Sequence, residues 1–279
     1  MSATFEAMVP ALLMKARVDA IARDRARARL RQALFLIAVL AVVAWSVDAI
    51  LVKDTDWDRL SWASVGKALA GFLILDWSVL TDLWQATLET VFMATLATLV
   101  GVFLALPVAW LGASNISPLG RFSYLVGRFL MTLSRSVHEI VWALIFVSAV
   151  GLGSLAGILA LAVRSVGFIS KILAEAIEDV DPKPVEAIRA AGGSKFQVLL
   201  FAILPQVVPV FLGSLIFEWD INIRRSTIMG LVGAGGLGLL LFRQMAMYNY
   251  GGVATVILAV LALILVGEII SHYARKSVI

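Results

Sequence analysis

Apolar residues run through this chain in blocks too long to be one face of a soluble helix, and polar punctuation divides them into six spans. The pattern predicts these over residues 33–52, 86–111, 137–150, 155–173, 199–221 and 253–270. A helix rises 1.5 Å per residue, so about twenty residues cover the roughly 30 Å of hydrocarbon in a bilayer. The third span is the shortest, and its helix is expected to begin before the membrane, at Arg121, Arg128 and Arg135. Pro107 should kink the second span near its inner end. The loop GASNISPLGR has turn chemistry, and Gly151-Leu152-Gly153-Ser154 reads as a tight outer turn. The sequon Asn115-Ile116-Ser117 carries little meaning on a cytoplasmic loop. After the first span comes the hydrophilic passage KDTDWDRLSW, then an amphipathic piece through Phe72, Trp77 and Trp84. Tryptophans at 57, 62, 77 and 84 suit an aromatic belt at the outer surface.

The longest polar interruption of the second half is residues 181–205, DPKPVEAIRAAGGSKFQVLLFAILP. Asp181 can cap a helix whose first position is Pro182, where a missing N–H costs nothing, and Gly192-Gly193 supplies a left-handed stop. Ser194 with Gln197 forms a capping box that starts a second helix through Phe196, Leu199, Leu200 and Ile203, until Pro205 disturbs it. The expected product is a short helix, a glycine elbow and a helix that enters the membrane.

On these residues the chain resembles the "EAA" loop of bacterial ABC importer permeases, the element that docks into the ATPase subunit. The resemblance rests on Glu186-Ala187-Ile188, three residues, Gly192, and a spacer ending in Ile203-Leu204-Pro205. Ile188 stands for the usual second alanine, and Ala202 where isoleucine is frequent. The family implies that Glu186, Ala187, Arg189, Ala190 and Gly192 couple the chain to that ATPase.

Composition agrees with a membrane protein: 61% of residues are apolar, above the usual soluble range. With no cysteine there is neither a disulfide frame nor a thiolate site, and two histidines, His138 and His272, are too few for a histidine zinc site. The net charge of +4 matters less than its placement. With the amino terminus inside, sixteen Lys and Arg fall on the cytoplasmic side and six outside, following the positive-inside tendency and placing 181–205 in the cytoplasm. Residues 1–32 carry Lys15, Arg17, Arg23, Arg25, Arg27, Arg29 and Arg31 and read either as a basic amphipathic helix at anionic lipid or as a solvated tail. They lead straight into a hydrophobic span, which argues against nucleic-acid binding. The division expected is therefore a basic cytoplasmic segment, 1–32, and a permease domain, 33–279.

Several motifs invite chemistry that their context denies. Gly233, Gly235 and Gly238 in GLVGAGGLG satisfy G-x-G-x-x-G, yet a dinucleotide turn needs a βαβ unit, and here the neighbours are membrane helices. Gly233, Gly235, Gly236 and Gly238 instead suit a bent or re-entrant segment in which backbones approach closely. Gly66-Lys67 lacks the rest of a P-loop. His138-Glu139 begins H-E-x-x-H, but position 142 is Trp, so no metal face exists. Ionisable residues inside spans are costly and face a pathway or a partner. The candidates are His138, Glu139, Arg164, Glu218 and Asp220, with Arg224, Arg225, Ser226 and Thr227 expected at the outer end of the fifth span. Arg224 and Arg225 would admit or hold an anionic solute. The competing expectation for all of them is internal salt bridging.

SRSVHEIVWALIFVSAVGLGSLAG and the run Ile223-Arg224-Arg225-Ser226-Thr227 through GLVGAGGLG are similar to the permease subunit of phosphonate-type ABC importers, over roughly residues 80–275. That resemblance implies an all-α membrane protein with a type I importer fold, about six transmembrane helices and a cytoplasmic coupling helix. It implies a homodimer, two copies of a cytoplasmic ATPase that carries ATP and Mg, an external phosphonate-binding protein, and a bacterial inner membrane with both termini in the cytoplasm. No catalytic residue and no cofactor are expected on this chain. The GAGGLG segment is also similar to methionine permeases. An ion-coupled secondary transporter or an intramembrane enzyme would leave the docking loop unexplained.

Overall fold

The computed structural model describes residues 28–50 and 61–278, in helices and turns with no strand among them. These residues form two units that meet at Lys67 and Ala68. The first contains α1, Ala28–Ile50, whose apolar side chains are exposed all round. Residues 28–32, ahead of the expected 33, are thus already helical. The basic segment reaches the described residues only at 28–32.

The second unit is built on three long helices: α3 (Leu80–Gly112), α6 (Ser154–Glu178) and α9 (Leu204–Met229). Small residues explain their closeness. Along α3 the buried positions include Ala86, Thr90, Ala94, Ala97, Gly101, Ala105, Ala109 and Gly112, a stripe at three- and four-residue spacing. A Cβ on Gly101 would stand 2.6 Å from that of Ser165 on α6. Lipid tails are as apolar as leucine, so such close packing and interhelical hydrogen bonds, rather than escape from water, hold membrane helices together. Leu96, Leu99, Phe103 and Leu106 point outward on the opposite side of α3. At 33 residues α3 exceeds the bilayer core, and Pro107 lies inside it near its end.

The third span differs from expectation. It consists of α4 (Arg121–Ser136) and α5 (Glu139–Val150), whose axes meet at 90°. The break falls at Val137-His138, where His138 turns extended and its Nδ1 accepts the Ile140 N–H at 3.3 Å, as an N-cap does. Twelve residues of α5 rise about 18 Å, too little to cross alone. The pair nevertheless meets opposite ends of α6. Arg128, midway along α4, reaches Glu178 at the end of α6, and Gly153 beyond α5 donates to Gly233 at the other end of the unit.

The fifth span is longer than expected. A four-residue α8 (Lys195–Val198) passes through a π-helical turn, Leu199–Ile203, directly into α9, so the apolar run extends over Phe196–Val232. Pro205, which has no N–H to continue the regular ladder, sits just past that wider turn. Arg224 and Arg225 therefore lie within α9 and not beyond its end. After Met229 the chain makes a 3-10 turn and a glycine bend, then α10 (Gly236–Ala246) and α11 (Tyr250–Val278). The carboxyl half of α2 (Trp62–Leu73) packs on α11, with Phe72 and Tyr250 rings 5.5 Å apart.

Candidate functional site

Three features gather the candidate residues. The first is α7, Pro182–Ala190, between α6 and α8. Asp181 accepts the Lys183 N–H at 3.0 Å, and Pro182 occupies the first helical position. The helix ends in a Schellman motif: Gly193 N–H donates to Ile188 at 2.9 Å, Gly192 N–H to Arg189 at 3.0 Å, and Gly192 takes φ +81°. The next helix opens on the reciprocal pair of a capping box, Ser194 N–H to Gln197 Oε1 at 2.7 Å and Gln197 N–H to Ser194 Oγ at 3.3 Å. Gln206 on α9 accepts the Asp181 N–H at 3.0 Å and anchors the start of the element. Val185 and Ile188 turn partly inward, whereas Glu186, Ala187, Arg189, Ala190 and Gly192 are exposed. The result is a helix capped at both ends, exposed along its outer face and tied at its start to α9 through Gln206.

The second feature is a charge cluster where α5, α6 and α9 meet. Glu139 lies between two guanidinium groups, 3.7 Å from Arg164 Nε and 3.5 Å from Arg225 Nε. Arg225 Nη1 also reaches Glu218 Oε1 at 3.1 Å, and the Glu218 side chain has no solvent exposure. The Ser165 hydroxyl donates to the same oxygen at 2.8 Å, and Asn222 Nδ2 donates to Ser165 and to Thr98 of α3, each at 2.9 Å. Two cations meet two anions, which moderates the several-kcal/mol burden each would carry alone in a membrane interior. Arg164 Nη1, Glu218 Oε2 and Asn222 Oδ1 are buried with no hydrogen-bond partner among the described residues. Four sequence candidates, Glu139, Arg164, Glu218 and Arg225, thus come together.

The others are placed differently. His138 is exposed at the rim, its Nε2 3.9 Å from Glu139 Oε2. Arg224 leaves the cluster and binds Asp220 at 2.6 Å one turn back, with Glu268 of α11 at 3.9 Å. Ser226 and Thr227 are buried, and both hydroxyls donate to Ile223 of their own helix. Thr98, Ser165 and Asn222 escaped the sequence reading. Their signal was polar character at buried-stripe spacing within apolar spans.

The third feature is the glycine bend. Gly233, Gly235 and Gly236 all have positive φ, and α10 folds back so closely on the end of α9 that a Cβ on Gly238 would collide with the Thr227 carbonyl oxygen. Thr90 of α3 accepts the Leu237 N–H at 2.9 Å, satisfying the first turn of α10. Glu89 accepts from Ser154 at 2.6 Å beside Gly235. This is a re-entrant hairpin in which irregular backbone is covered by neighbouring helices. Among the described residues no group of three metal-ligating side chains occurs.

Residues 98–279 match the family described as "Binding-protein-dependent transport system inner membrane component". A phosphite transport system permease protein, PtxC, of Stutzerimonas stutzeri is 44% identical over 189 residues, covering 68% of each chain. A phosphate-import permease protein, PhnE, of Mycolicibacterium smegmatis is 38% identical over 198 residues, which are 71% of this chain and 37% of that longer protein. A solved structure of the MetNI methionine ABC transporter in inward-facing form matches with a TM-score of 0.63 at 22% identity, over 74% of this chain and all of that chain.

Proposed function

Since the chain belongs to the binding-protein-dependent transport system inner membrane components, we propose that it is the permease subunit of an ATP-driven importer for a phosphorus oxyanion. Phosphonate, phosphite and phosphate form the solute class. Multiple apolar helices and the family make it a multi-pass inner membrane component. The observation that carries the mechanism is α7, a capped helix with an exposed outer face, held at its start by Gln206 of α9 and continuous at its end with the α8–α9 span. Such a lever transmits force only when another protein pushes on it. Two copies of the chain would place two such levers side by side, each seated in one ATPase subunit that binds ATP and Mg.

In the proposed cycle ATP closes the paired ATPases, α7 of each copy moves with them, and α6 and α9 follow as rigid bodies. The spans then open toward an external binding protein that delivers the solute, and hydrolysis returns them inward. The bent α4–α5 pair counts as one crossing, because it reaches opposite ends of α6 through Arg128 and through Gly153. Together with α1, α3, α6, α8–α9 and α11 this gives an even number of crossings among the described residues, which would put both termini on one side, and the Lys and Arg distribution favours the cytoplasm for that side. The cluster of Glu139, Arg164, Glu218 and Arg225 is the polar station on the route. There the guanidinium groups exchange a carboxylate for the passing oxyanion. Arg224 has a different role, since Asp220 and Glu268 hold it.

The methionine alternative rests on the fold and on more distant sequence relatives, D-methionine permeases 26% to 28% identical, whereas the phosphate and phosphite permeases are 38% and 44% identical. The test is reconstitution with a partner ATPase and binding protein, followed by uptake of labelled methylphosphonate, phosphite and methionine. ATP-dependent uptake of a phosphorus oxyanion supports the reading; uptake of methionine alone overturns it. Arg164→Gln with Arg225→Gln should abolish uptake while the complex still assembles.

A further inference from the structure

A second cationic site lies outside this cluster, on the half of the unit toward α7. Gly167 of α6 creates it. The Gly167 N–H donates to Ser134 Oγ at 2.9 Å, Ser134 in turn donates to the Val163 carbonyl, and a Cβ on Gly167 would stand 2.5 Å from Ser134 Oγ and 2.7 Å from Arg135 Cγ. With no side chain there, α4 settles directly on α6. Arg135 is thereby held over α6, and Lys171 follows Gly167 by one turn on the same helix. Arg128 lies two turns back from Arg135 on the same face of α4. The cleft between the helices has a volume of about 240 Å³ and is lined by Arg128, Met131, Thr132, Arg135 and Lys171.

The charges there do not balance. Arg128 meets Glu178 at 2.7 Å and Glu175 at 3.9 Å, and Lys171 meets Glu175 at 3.5 Å. Arg135 has no carboxylate within salt-bridge distance among the described residues. Three cations face two carboxylates, so the cleft holds an uncompensated guanidinium on an exposed stem. A planar guanidinium fork matches two oxygens of a tetrahedral phosphate or phosphonate, and an ammonium beside it suits the third.

We propose that the cleft between α4 and α6 binds a phosphorus oxyanion, held by Arg135 and Lys171 with Arg128 behind them. The group is either a free phosphonate or phosphate ion on the α7 side or the phosphate of a lipid headgroup. The lipid source draws on Phe122, Leu125 and Phe129, which α4 also exposes. Occupancy has a mechanical consequence. The anion competes with Glu175 and Glu178 for their cations, and Glu178 also accepts the Ser114 N–H at 2.7 Å, which straps the end of α6 just ahead of α7. The free-ion source rests on the importer reading; the lipid source does not.

The experiment uses the full chain in phosphatidylcholine nanodiscs. Calorimetry with methylphosphonate and with inorganic phosphate measures free-ion binding, and native mass spectrometry of the purified chain measures retained phosphatidylglycerol. Arg135→Gln with Lys171→Gln should weaken the free ion at least about tenfold, or strip the lipid if that is the source, because even one lost charge-assisted hydrogen bond is worth about a factor of ten in affinity. Glu175→Gln removes a competitor and should tighten the same ligand severalfold. This second variant keeps the test decisive if the double variant misfolds. Free-ion binding that responds to both changes assigns the site to the solute. Lipid retention that responds to both, without free-ion binding, assigns it to the headgroup. Binding unchanged in both variants, or no phosphorus oxyanion of either kind, overturns the site. Uptake by the reconstituted wild-type importer is read separately, so failure of the cleft and failure of the importer reading remain distinguishable.

Discussion

Replacing Arg225 by Met tests whether the central cluster is one interdependent unit. The substitution keeps an unbranched side chain but removes the partner 3.1 Å from Glu218, a side chain with no solvent exposure. Glu218 keeps only the Ser165 hydroxyl as a hydrogen bond, and Glu139 keeps Arg164 at 3.7 Å. Stripping one partner from a buried ion pair costs about 3–5 kcal/mol, and the remaining Arg164 charge nearby sets the expectation near the lower end, about 3 kcal/mol. At roughly 2–4 °C per kcal/mol for a chain of this size, the melting temperature in nanodiscs should fall by about 6–12 °C. Glu218→Gln alone keeps an oxygen for Ser165 and leaves Arg225 to Glu139, so it should cost only about 1 kcal/mol. Combining the two removes the stranded charge, and the double variant should be more stable than Arg225→Met by about 2 kcal/mol. Simple additivity of the two losses would show that Glu218 and Arg225 do not depend on one another, and the reasoning would be refuted.

Other consequences follow from single positions. Gly192→Leu places a branched side chain at φ +81° on the exposed end of α7, so it should leave ATP hydrolysis by the assembled importer intact and uncouple it from uptake; normal coupled transport would count against the lever. Gly238→Val forces a side chain against the Thr227 carbonyl and Gly230, and should unseat α10, read as faster hydrogen exchange over 230–246. Asp76 accepts from Ser78 Oγ at 2.6 Å, Asn249 Nδ2 at 2.8 Å and Ser78 N–H at 3.0 Å, and these bonds hold its carboxyl below the usual carboxylate range. A depressed folded value means that its stabilisation is present above the unfolded value of about 3.9 and is lost as pH falls through the folded one. The melting advantage of the wild type over Asp76→Asn should therefore persist at neutral pH and shrink in acid; a gap that does not change with pH would sink the assignment.

What could be read from the chain was whatever obeyed rules of short range. Asp181, Pro182, Gly192, Gly193, Ser194 and Gln197 specify their caps within a few residues, and the expected bonds are all present. The glycine run gave the re-entrant bend for the same reason. Where tertiary partners decide, hydropathy misled. It ended the fifth span at 221 because charges follow, yet Asp220, Glu218 and Glu139 accept those charges and α9 continues to Met229. The 90° break at Val137-His138 contains neither Pro nor Gly. Its local sign was a capping histidine ahead of Glu139; just before it, Gly167 lets Ser134 of α4 seat on α6, a contact that no local pattern announces. Thr98, Ser165 and Asn222 looked like tolerated polar residues until three helices brought their side chains together.

The chain has no cysteine, so a single one introduced by Ala187→Cys on the outer face of α7 is a clean reporter. In membranes containing the partner ATPase, a bifunctional thiol reagent should join it to that subunit, while an impermeant thiol label applied from outside the cell should leave it untouched. Labelling from outside, or no link to the ATPase in an importer that still transports, would contradict the account of α7 as the point where ATP-driven motion enters the membrane.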